Sequence, residues 1–234
     1  MIDFNEGVII PLDKPYGVTS FKALARVRTA ISRRLGVKKI KIGHAGTLDP
    51  LATGVLILCT GKATKRIEEL QAHTKEYVAV FQLGATTPSY DMEHDIDNRY
   101  PTEHITREMI DTVLRGFIGE IEQVPPSFSA CKINGKRAYK LSRKGEEVEL
   151  KPKKITIDEI EVLDFDPDAM LLRLRIVCGK GTYIRAMARD IGEALGSGAY
   201  LKELRRTRVG EVRVEDCLQP DDLDKYLDEA LATE

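Results

Sequence analysis

The sequence is organised around the stretch Gly43-His44-Ala45-Gly46-Thr47-Leu48-Asp49-Pro50-Leu51-Ala52-Thr53-Gly54. Glycine opens backbone conformations that are closed to other residues and proline fixes its own φ, so we predict a stiff, non-repetitive loop. The stretch contains one carboxylate, Asp49, and one imidazole, His44, and leads into an apolar run at residues 55–59 that predicts a buried strand. A lone Asp-Pro pair usually marks only a turn. Twelve residues this constrained, on the end of a core strand, instead favour a rigid support for a catalytic group.

The composition indicates a chain that can build its own core. Its 234 residues are 42% hydrophobic, and a net charge of −1 identifies no partner. The cysteines are widely separated, which argues against a zinc site or a disulfide framework and is typical of a reduced cytosolic protein. The N-terminus lacks signal-peptide features and no apolar run reaches bilayer length, so we expect a soluble cytoplasmic protein. The cysteines are Cys59, Cys131, Cys178 and Cys217.

The first part of the chain predicts a strand at residues 7–11 and then a helix capped by Thr19 or Ser20 and ended by Gly36. Residues 22–41 contain eight basic residues and no acidic one, for which a solvated helix face is the simplest interpretation. A helix is also expected at residues 62–72. The predicted apolar face of the first helix comprises Phe21, Leu24, Val27, Ile31 and Leu35.

The middle of the chain predicts further scaffold elements. Residues 75–83 alternate as a strand, with Tyr77, Ala79 and Phe81 on one face. An acidic loop at residues 91–97 precedes an amphipathic helix at residues 106–118. That helix is expected to turn Met109, Val113 and Phe117 inward. Two further strands are predicted at residues 155–165 and 170–178, joined by a turn.

Residues 131–154 differ in composition from the rest, with nine cations against three anions. Two glycines bound a short predicted helical stretch inside this segment. Such a basic segment, poor in core residues, suggests a projecting arm that suits a polyphosphate backbone; a solvated hairpin is the alternative. Its basic residues include Lys132, Lys136, Arg137 and Lys140.

The sequence Gly179-Lys180-Gly181-Thr182-Tyr183-Ile184-Arg185 connects a predicted strand to a predicted helix. This geometry presents backbone N–H groups to an anion, so a phosphate cradle for a nucleotide-dependent transferase is one possible interpretation. Arg185 lies in the first turn, where a cation is unfavourable, and therefore needs a carboxylate partner or an anionic ligand. Further on, two leucines in residues 201–208 stand at helical spacing, and the acidic last twenty residues end in a short amphipathic helix.

The opening stretch closely resembles the signature of the TruB family of tRNA pseudouridine synthases. The resemblance extends in the family's order and spacing from about residue 7 to residue 214. It implies an α+β fold with a mixed, mostly antiparallel central sheet flanked by helices, and an inserted basic arm at about residues 125–154. The supporting blocks are Leu12-Asp13-Lys14-Pro15, Lys75-Glu76-Tyr77, Gln123-Val124-Pro125-Pro126, Gly179 to Arg185, and Leu204-Arg205-Arg206.

The resemblance also implies catalytic roles. Asp49 matches the essential aspartate, which attacks the ribose C1′ or yields a glycal intermediate, two routes that the sequence leaves open. Arg185 matches the arginine that pairs with this aspartate and keeps it ionised. Tyr77 matches the tyrosine that stacks on the target base. The family isomerises uridine 55 in the T loop of tRNA without cofactor or metal.

The remaining implied roles concern RNA binding. Tyr183 and Leu204 match pocket residues around the flipped nucleotide, and His44 matches the histidine that fills the space left by the extruded base. The basic arm, together with Arg205 and Arg206, is expected to contact the RNA backbone.

The resemblance gives a domain and partner scheme as well. We expect a catalytic domain at residues 1–214, an acidic segment at residues 215–234 and no PUA domain, with contacts centred on the T arm of tRNA. The protein is expected to act as a monomer without guide RNA. A non-catalytic RNA-binding module on the same fold remains an alternative, although the combination of Asp49, Tyr77 and Arg185 argues against it.

Overall fold

The computed structural model describes residues 2–127, 132–133, 136–137 and 150–232. The chain forms two compact units. The first comprises Met1–Glu76 and Arg205–Glu234, and the second comprises Tyr77–Leu204. No helix in the described ranges is both long and apolar enough to cross a bilayer. The predicted domain boundary at residue 214 stays a prediction.

The first unit contains a sheet covered by helices. Its elements are β1 (Ile9–Lys14), α1 (Ser20–Arg34), β2 (Ile42–Ala45), β3 (Ala52–Thr60), a 3-10 turn (Gly61–Arg66), α2 (Ile67–Ala72), the start of β4 (Lys75–Leu83), the end of β12 (Ala199–Val209), β13 (Val212–Arg213) and α5 (Leu223–Leu231). The strand order is β1-β3-β12-β4, and β2 also pairs with β3. Both β1 and β2 run antiparallel to β3. Helices α1 and α5 share one apolar cluster with strands β1 and β3.

Helix α1 follows the predicted pattern except at its first turn. Thr19 caps it by accepting a hydrogen bond from the Lys22 amide at 3.1 Å. Leu24, Val27 and Ile31 are buried as predicted. Phe21, however, is 64% exposed, and the first turn buries Ser20 and Ala23 instead.

The second unit is built on long antiparallel strands. Its elements are the remainder of β4 and β12, with β5 (Ala85–Thr86), β6 (Asn98–Arg99), α3 (Arg107–Arg115), β7 (Gly119–Gln123), β8 (Lys132–Ile133), β9 (Lys136–Arg137), β10 (Lys153–Asp166), β11 (Leu171–Cys178) and α4 (Ile184–Ala194). The strand order is β12-β4-β11-β10-β7. Strand β10 pairs antiparallel with both β11 and β7. The α+β fold with a mostly antiparallel sheet and flanking helices is thus confirmed.

Two local predictions are wrong. Helix α3 fully buries Ile110 and Leu114, so its inward face is shifted by one residue from the predicted set, whose members are only partly buried. Residues 201–208 belong to strand β12 instead of a helix. Two leucines at helical spacing carry little weight there against the backbone pairing that a neighbouring strand offers.

Candidate active site

The stretch from residue 43 to residue 54 is less loop-like than its sequence suggests. Its first residues lie in β2 and its last residues lie in β3, so only residues 46–51 connect the two antiparallel strands. His44 stands on β2 opposite Leu58. The connection carries Asp49, which is partly exposed. Asp49 therefore lies in a short loop that connects two neighbouring antiparallel strands of the first unit.

The backbone on both sides of Asp49 is anchored. The Ser20 hydroxyl donates to the Leu48 carbonyl and accepts from the Leu48 amide, each at 2.9 Å. On the other side, the Pro50 carbonyl accepts from the Gly17 amide at 2.9 Å and from Lys14 Nζ at 3.2 Å. The carboxylate consequently sits on a segment fixed by the start of α1 and the end of β1.

Lys14 is a fully buried cation beside this segment. Its Nζ donates to the carbonyls of Pro15 at 2.9 Å and Val18 at 2.6 Å as well as to Pro50. Burial lowers the pKa of Lys14 to about 8, and the nearby Asp49 carboxylate opposes that shift by favouring the charged ammonium. The first unit thus supplies a buried positive charge close to the candidate catalytic carboxylate.

Arg206 ties the start of the connection to strand β3. It is 1% exposed, and it donates from Nε to the Val55 carbonyl at 2.7 Å and from Nη2 to the Gly46 carbonyl at 3.1 Å. Gly54 has a φ of +103°, and a Cβ there would stand 2.1 Å from the Arg206 carbonyl oxygen. Since the guanidinium binds the loop from inside, we exclude Arg206 from the proposed RNA contacts.

Arg205 points differently from its neighbour. Its side chain is 42% exposed and pairs with Asp13, with Nη2 and Oδ2 2.7 Å apart. Nη1 also lies 3.3 Å from the Thr53 hydroxyl. Arg205 therefore connects β12 to β1 and β3 while keeping part of its guanidinium accessible.

The second unit holds Arg185 in the first turn of α4, where it is 5% exposed. Its Nε lies 3.6 Å from Asp91 Oδ2, and its Nη1 donates to the Ser89 carbonyl at 3.1 Å. Asp91 is equally buried and accepts from the Ser89 hydroxyl at 2.5 Å and from the Glu93 amide at 3.0 Å. Arg185 was expected to need a carboxylate partner or an anionic ligand, and within the second unit Asp91 is such a carboxylate. Its pairing with Asp49 stays a prediction.

Asp91 is a site residue that the sequence reasoning missed. It lies at the start of the acidic loop, which was expected to be scaffold. The signal was available, because a cation in a first helical turn requires a carboxylate and this loop offers several. Nothing in the sequence distinguished Asp91 from the other acidic residues of the loop.

The remaining predicted pocket residues also lie in the second unit. Tyr77 is 8% exposed on β4. Tyr183 occupies the N-cap position of α4, and buried Gln123 clamps its backbone by accepting from its amide at 2.8 Å and donating to its carbonyl at 3.2 Å. Leu204 is half-buried on β12. Gln123 belongs to one of the family blocks quoted above, but the sequence did not indicate this contact with Tyr183.

The basic arm is described in part. Strands β8 and β9 pair antiparallel, with Lys132 opposite Arg137 and Ile133 opposite Lys136. The predicted short helical stretch between Gly135 and Gly145 begins instead with strand β9, and its remaining residues, with Lys140, lie outside the described residues. The glycine turn before α4 is closed by the Thr182 hydroxyl, which donates to the Gly179 carbonyl at 3.1 Å. Across the described ranges no cluster of three or more histidine, cysteine or acidic side chains has the arrangement of a metal site.

Comparison with known proteins identifies the family. Residues 33–184 match the N-terminal domain model of the TruB family pseudouridylate synthases, and residues 185–233 match the C-terminal domain model of tRNA pseudouridylate synthase B. A protein named tRNA pseudouridine synthase B from Bacteroides thetaiotaomicron is 65% identical over 97% of this chain and 95% of its own length. Its namesake from Flavobacterium johnsoniae is 47% identical over 92% of this chain and 94% of its own.

Solved structures agree with these matches. A chain in a Cbf5-Nop10-Gar1 complex is 31% identical, with a TM-score of 0.68. The match covers 96% of this chain and 55% of that one. A chain of an H/ACA RNP bound to a substrate RNA containing 2'-deoxyuridine is 30% identical, with a TM-score of 0.67, over 97% of this chain and 56% of its own length. This chain thus spans little more than half of those structural relatives. It belongs to the TruB family of pseudouridylate synthases and is an isomerase that converts uridine to pseudouridine in tRNA.

Proposed function

We propose that this chain isomerises uridine 55 in the T loop of tRNA and that Asp49 is its catalytic carboxylate. The observation that favours this most directly is that the backbone around Asp49 is fixed. Its neighbours Leu48 and Pro50 are both held by hydrogen bonds from other elements. A group positioned in advance loses little free energy to reorganisation in the transition state.

The proposed reaction begins with extrusion of the target base, since its C1′ and C5 atoms cannot be reached inside a folded loop. The bond between C1′ and N1 breaks, either as Asp49 attacks C1′ or as a C2′ proton leaves to give a glycal. The uracil then rotates and C5 bonds to C1′, as the bond between Asp49 and C1′ breaks on the first route or as C2′ takes back its proton on the second. The proton on C5 is then released while N1 becomes protonated. Reactant and product have the same atoms, so the reaction consumes no second substrate, and we propose that it proceeds without cofactor or metal.

The other side chains have supporting roles in this proposal. The family resemblance assigns Arg185 to the catalytic carboxylate as its partner arginine, and Asp91 holds the Arg185 guanidinium within the second unit. Tyr77 stacks on the target base and is a candidate acceptor of the C2′ proton. Tyr183 and Leu204 form the pocket for the flipped nucleotide. His44 occupies the space that the base leaves.

RNA binding is assigned to the T arm of tRNA. Arg205 and the arm residues contact the phosphate backbone, because clustered cations gain affinity by releasing counterions. The arm residues are Lys132, Lys136, Arg137 and Lys140. We further infer that the protein works in the cytoplasm as a monomer and without guide RNA.

The test is tritium release from a T-arm stem-loop that carries 5-tritiated uridine, with the purified protein as the sole macromolecule besides the substrate. We expect release by the wild-type chain and a loss of roughly a thousandfold or more in Asp49→Asn, the scale seen when a covalent catalytic group is removed. Stem-loop binding by Asp49→Asn should stay close to wild type. Binding without release by the wild-type chain would indicate a non-catalytic RNA-binding module, whereas near-normal release by Asp49→Asn would remove Asp49 from the mechanism.

A further inference from the structure

A basic cleft lies on the first unit, in a segment to which the candidate active site assigns no role. It has a volume of about 500 Å³ and lies between the second half of α1 and the segment that leads to β2. We call it the α1 cleft. It is lined by Arg28, Thr29, Ser32, Arg33, Lys38 and Lys39.

The charges in the α1 cleft are uncompensated. The same basic run also contains Arg26 and Arg34, but these two pair with acidic residues near α5: Arg26 with Asp221 at 3.8 Å, and Arg34 with Asp224 at 3.0 Å and with Asp228. No carboxylate in the described part of the chain forms an ion pair with any of the four cations of the cleft. The simple interpretation as a solvated helix face fits Arg26 and Arg34 but leaves the convergent cations unexplained.

Compensation of the α1 dipole accounts for only part of this charge. Cations in the last turn of a helix stabilise its partly negative C-terminus, and Arg33 lies there. Arg28 lies more than a turn earlier, while Lys38 and Lys39 lie beyond the helix. Their convergence on one cleft is therefore better explained by an anionic ligand than by the helix itself.

Ser32 gives an independent indication of a ligand. Ser32 is one of the residues that line the cleft, it is only 9% exposed, and within the described structure its buried hydroxyl has no hydrogen-bond partner. A buried hydroxyl without a partner costs free energy, so natural structures rarely retain one without a reason. Thr29 precedes Ser32 by three residues and so presents a second hydroxyl on the same helix face.

We propose that the α1 cleft binds backbone phosphates of the RNA substrate, as a contact separate from the loop that carries Asp49. Cationic side chains supply the electrostatic attraction, and the Ser32 and Thr29 hydroxyls donate to phosphate oxygens. The cleft is open and much larger than one phosphate, which suits a continuous sugar-phosphate chain better than a free ion. The identity of the RNA rests on the function proposed above.

The test compares two double variants of the full chain that lose the same charge. Lys38→Ala/Lys39→Ala removes two cleft cations, whereas Lys22→Ala/Arg26→Ala removes two cations of the same basic run that do not line the cleft. Affinity for a tRNA transcript is measured by filter binding over a range of salt concentrations. We expect the cleft variant to bind about tenfold more weakly and its salt slope to fall by about two, with little change in the control.

Ser32→Ala separates ligand binding from stability. Because the variant removes an unpartnered buried hydroxyl, its thermal unfolding temperature should stay the same or rise, while tRNA binding weakens severalfold. A lower unfolding temperature with unchanged tRNA binding would give Ser32 a purely structural role and overturn the assignment.

Equal affinities of the two double variants for tRNA would also overturn the proposal, and would leave a protein partner as the occupant. The proposal is also overturned if the wild type and Lys38→Ala/Lys39→Ala bind tRNA equally and inorganic phosphate raises the unfolding temperature of the wild type alone. The cleft would then be a small-anion site. Tritium release by the wild type reports on the proposed function separately. Release combined with equal binding refutes only the cleft, and absent release refutes the activity whatever the cleft binds.

Discussion

Lys14 is a buried residue whose charge, next to the active-site loop, should change with pH in the range near 8. Its ammonium is enclosed by three carbonyl groups, one of which belongs to Pro50, the residue after Asp49. Burial lowers its pKa from 10.5 to about 8 in the folded chain. At pH values below about 8 the residue is charged in both the folded and the unfolded chain. Above that value the folded chain releases the proton first.

We therefore expect the Lys14 contribution to the free energy of unfolding to rise with pH between about 8 and 10.5, where only the unfolded chain retains the proton. The slope should not exceed about 1.4 kcal/mol per pH unit. The measurement is urea unfolding of the wild type and of Lys14→Met across this range, with Lys22→Met as an exposed control. Parallel pH curves for the wild type and Lys14→Met would contradict the assignment. Turnover should also fall above pH 8, as the positive charge beside Asp49 is lost.

Asp91 is the second residue whose role can be tested by itself. Asp91→Asn leaves the buried Arg185 guanidinium without its carboxylate partner in the second unit. Breaking a buried ion pair typically costs about 3–5 kcal/mol, so we expect a large loss of unfolding free energy and a loss of turnover of at least about tenfold. Asp95→Asn, an exposed change in the same loop, is the control. If both variants unfold at the same urea concentration, Asp91 does not support Arg185.

At the scale of elements, the close approach of β12 to β3 positions the active-site loop. Gly54 permits it, because the Arg206 backbone lies where a side chain would begin. The Arg206 side chain of the same strand donates to Gly46, at the start of the loop, and to Val55 in β3. A backbone contact and a side-chain contact thus fix one β-connection from a strand that lies far away in sequence.

Gly54→Ala tests this contact against a matched glycine. Gly17 also has a positive φ, +76°, but a Cβ there would meet nothing within 4 Å. Gly17→Ala should therefore cost only the conformational penalty of about 1–2 kcal/mol. Gly54→Ala should cost a further 1–3 kcal/mol or so, because β3 and β12 must separate. Equal unfolding free energies for the two variants would show that the strands adjust without strain.

At the scale of the whole molecule, the sequence predicted elements better than contacts. The period-2 pattern of β4 and the apolar face of α1 at Leu24, Val27 and Ile31 were correct because each depends on local spacing. The helical spacing in residues 201–208 failed because β12 is defined by pairing with distant strands. Asp91 was missed for the same reason, since a buried ion pair depends on which loop the fold brings to α4. The motif identified Asp49 as a candidate, but only the structure reveals the bonds that hold it.

The chain is nearly neutral, with a net charge of −1, so its affinity for RNA must come from local clusters of cations. Two such clusters are proposed above: the basic arm on β8 and β9, and the α1 cleft. They belong to different units and share no residue. If both contact RNA phosphates, each should contribute independently to binding.

Combining the variants Lys38→Ala/Lys39→Ala and Lys136→Ala/Arg137→Ala tests this independence. We expect the losses of tRNA binding free energy to add to within about 0.5 kcal/mol, as they do for independent sites that share no residue. The salt slope of the quadruple variant should fall by about 3.6, because each neutralised phosphate contributes about 0.9. Filter binding over a salt series measures both quantities, and Lys225→Ala/Arg115→Ala serves as a two-charge control elsewhere on the surface. A quadruple variant that binds no more weakly than one of the double variants would mean that the two clusters do not contribute separately, and would contradict the proposal of two RNA contacts.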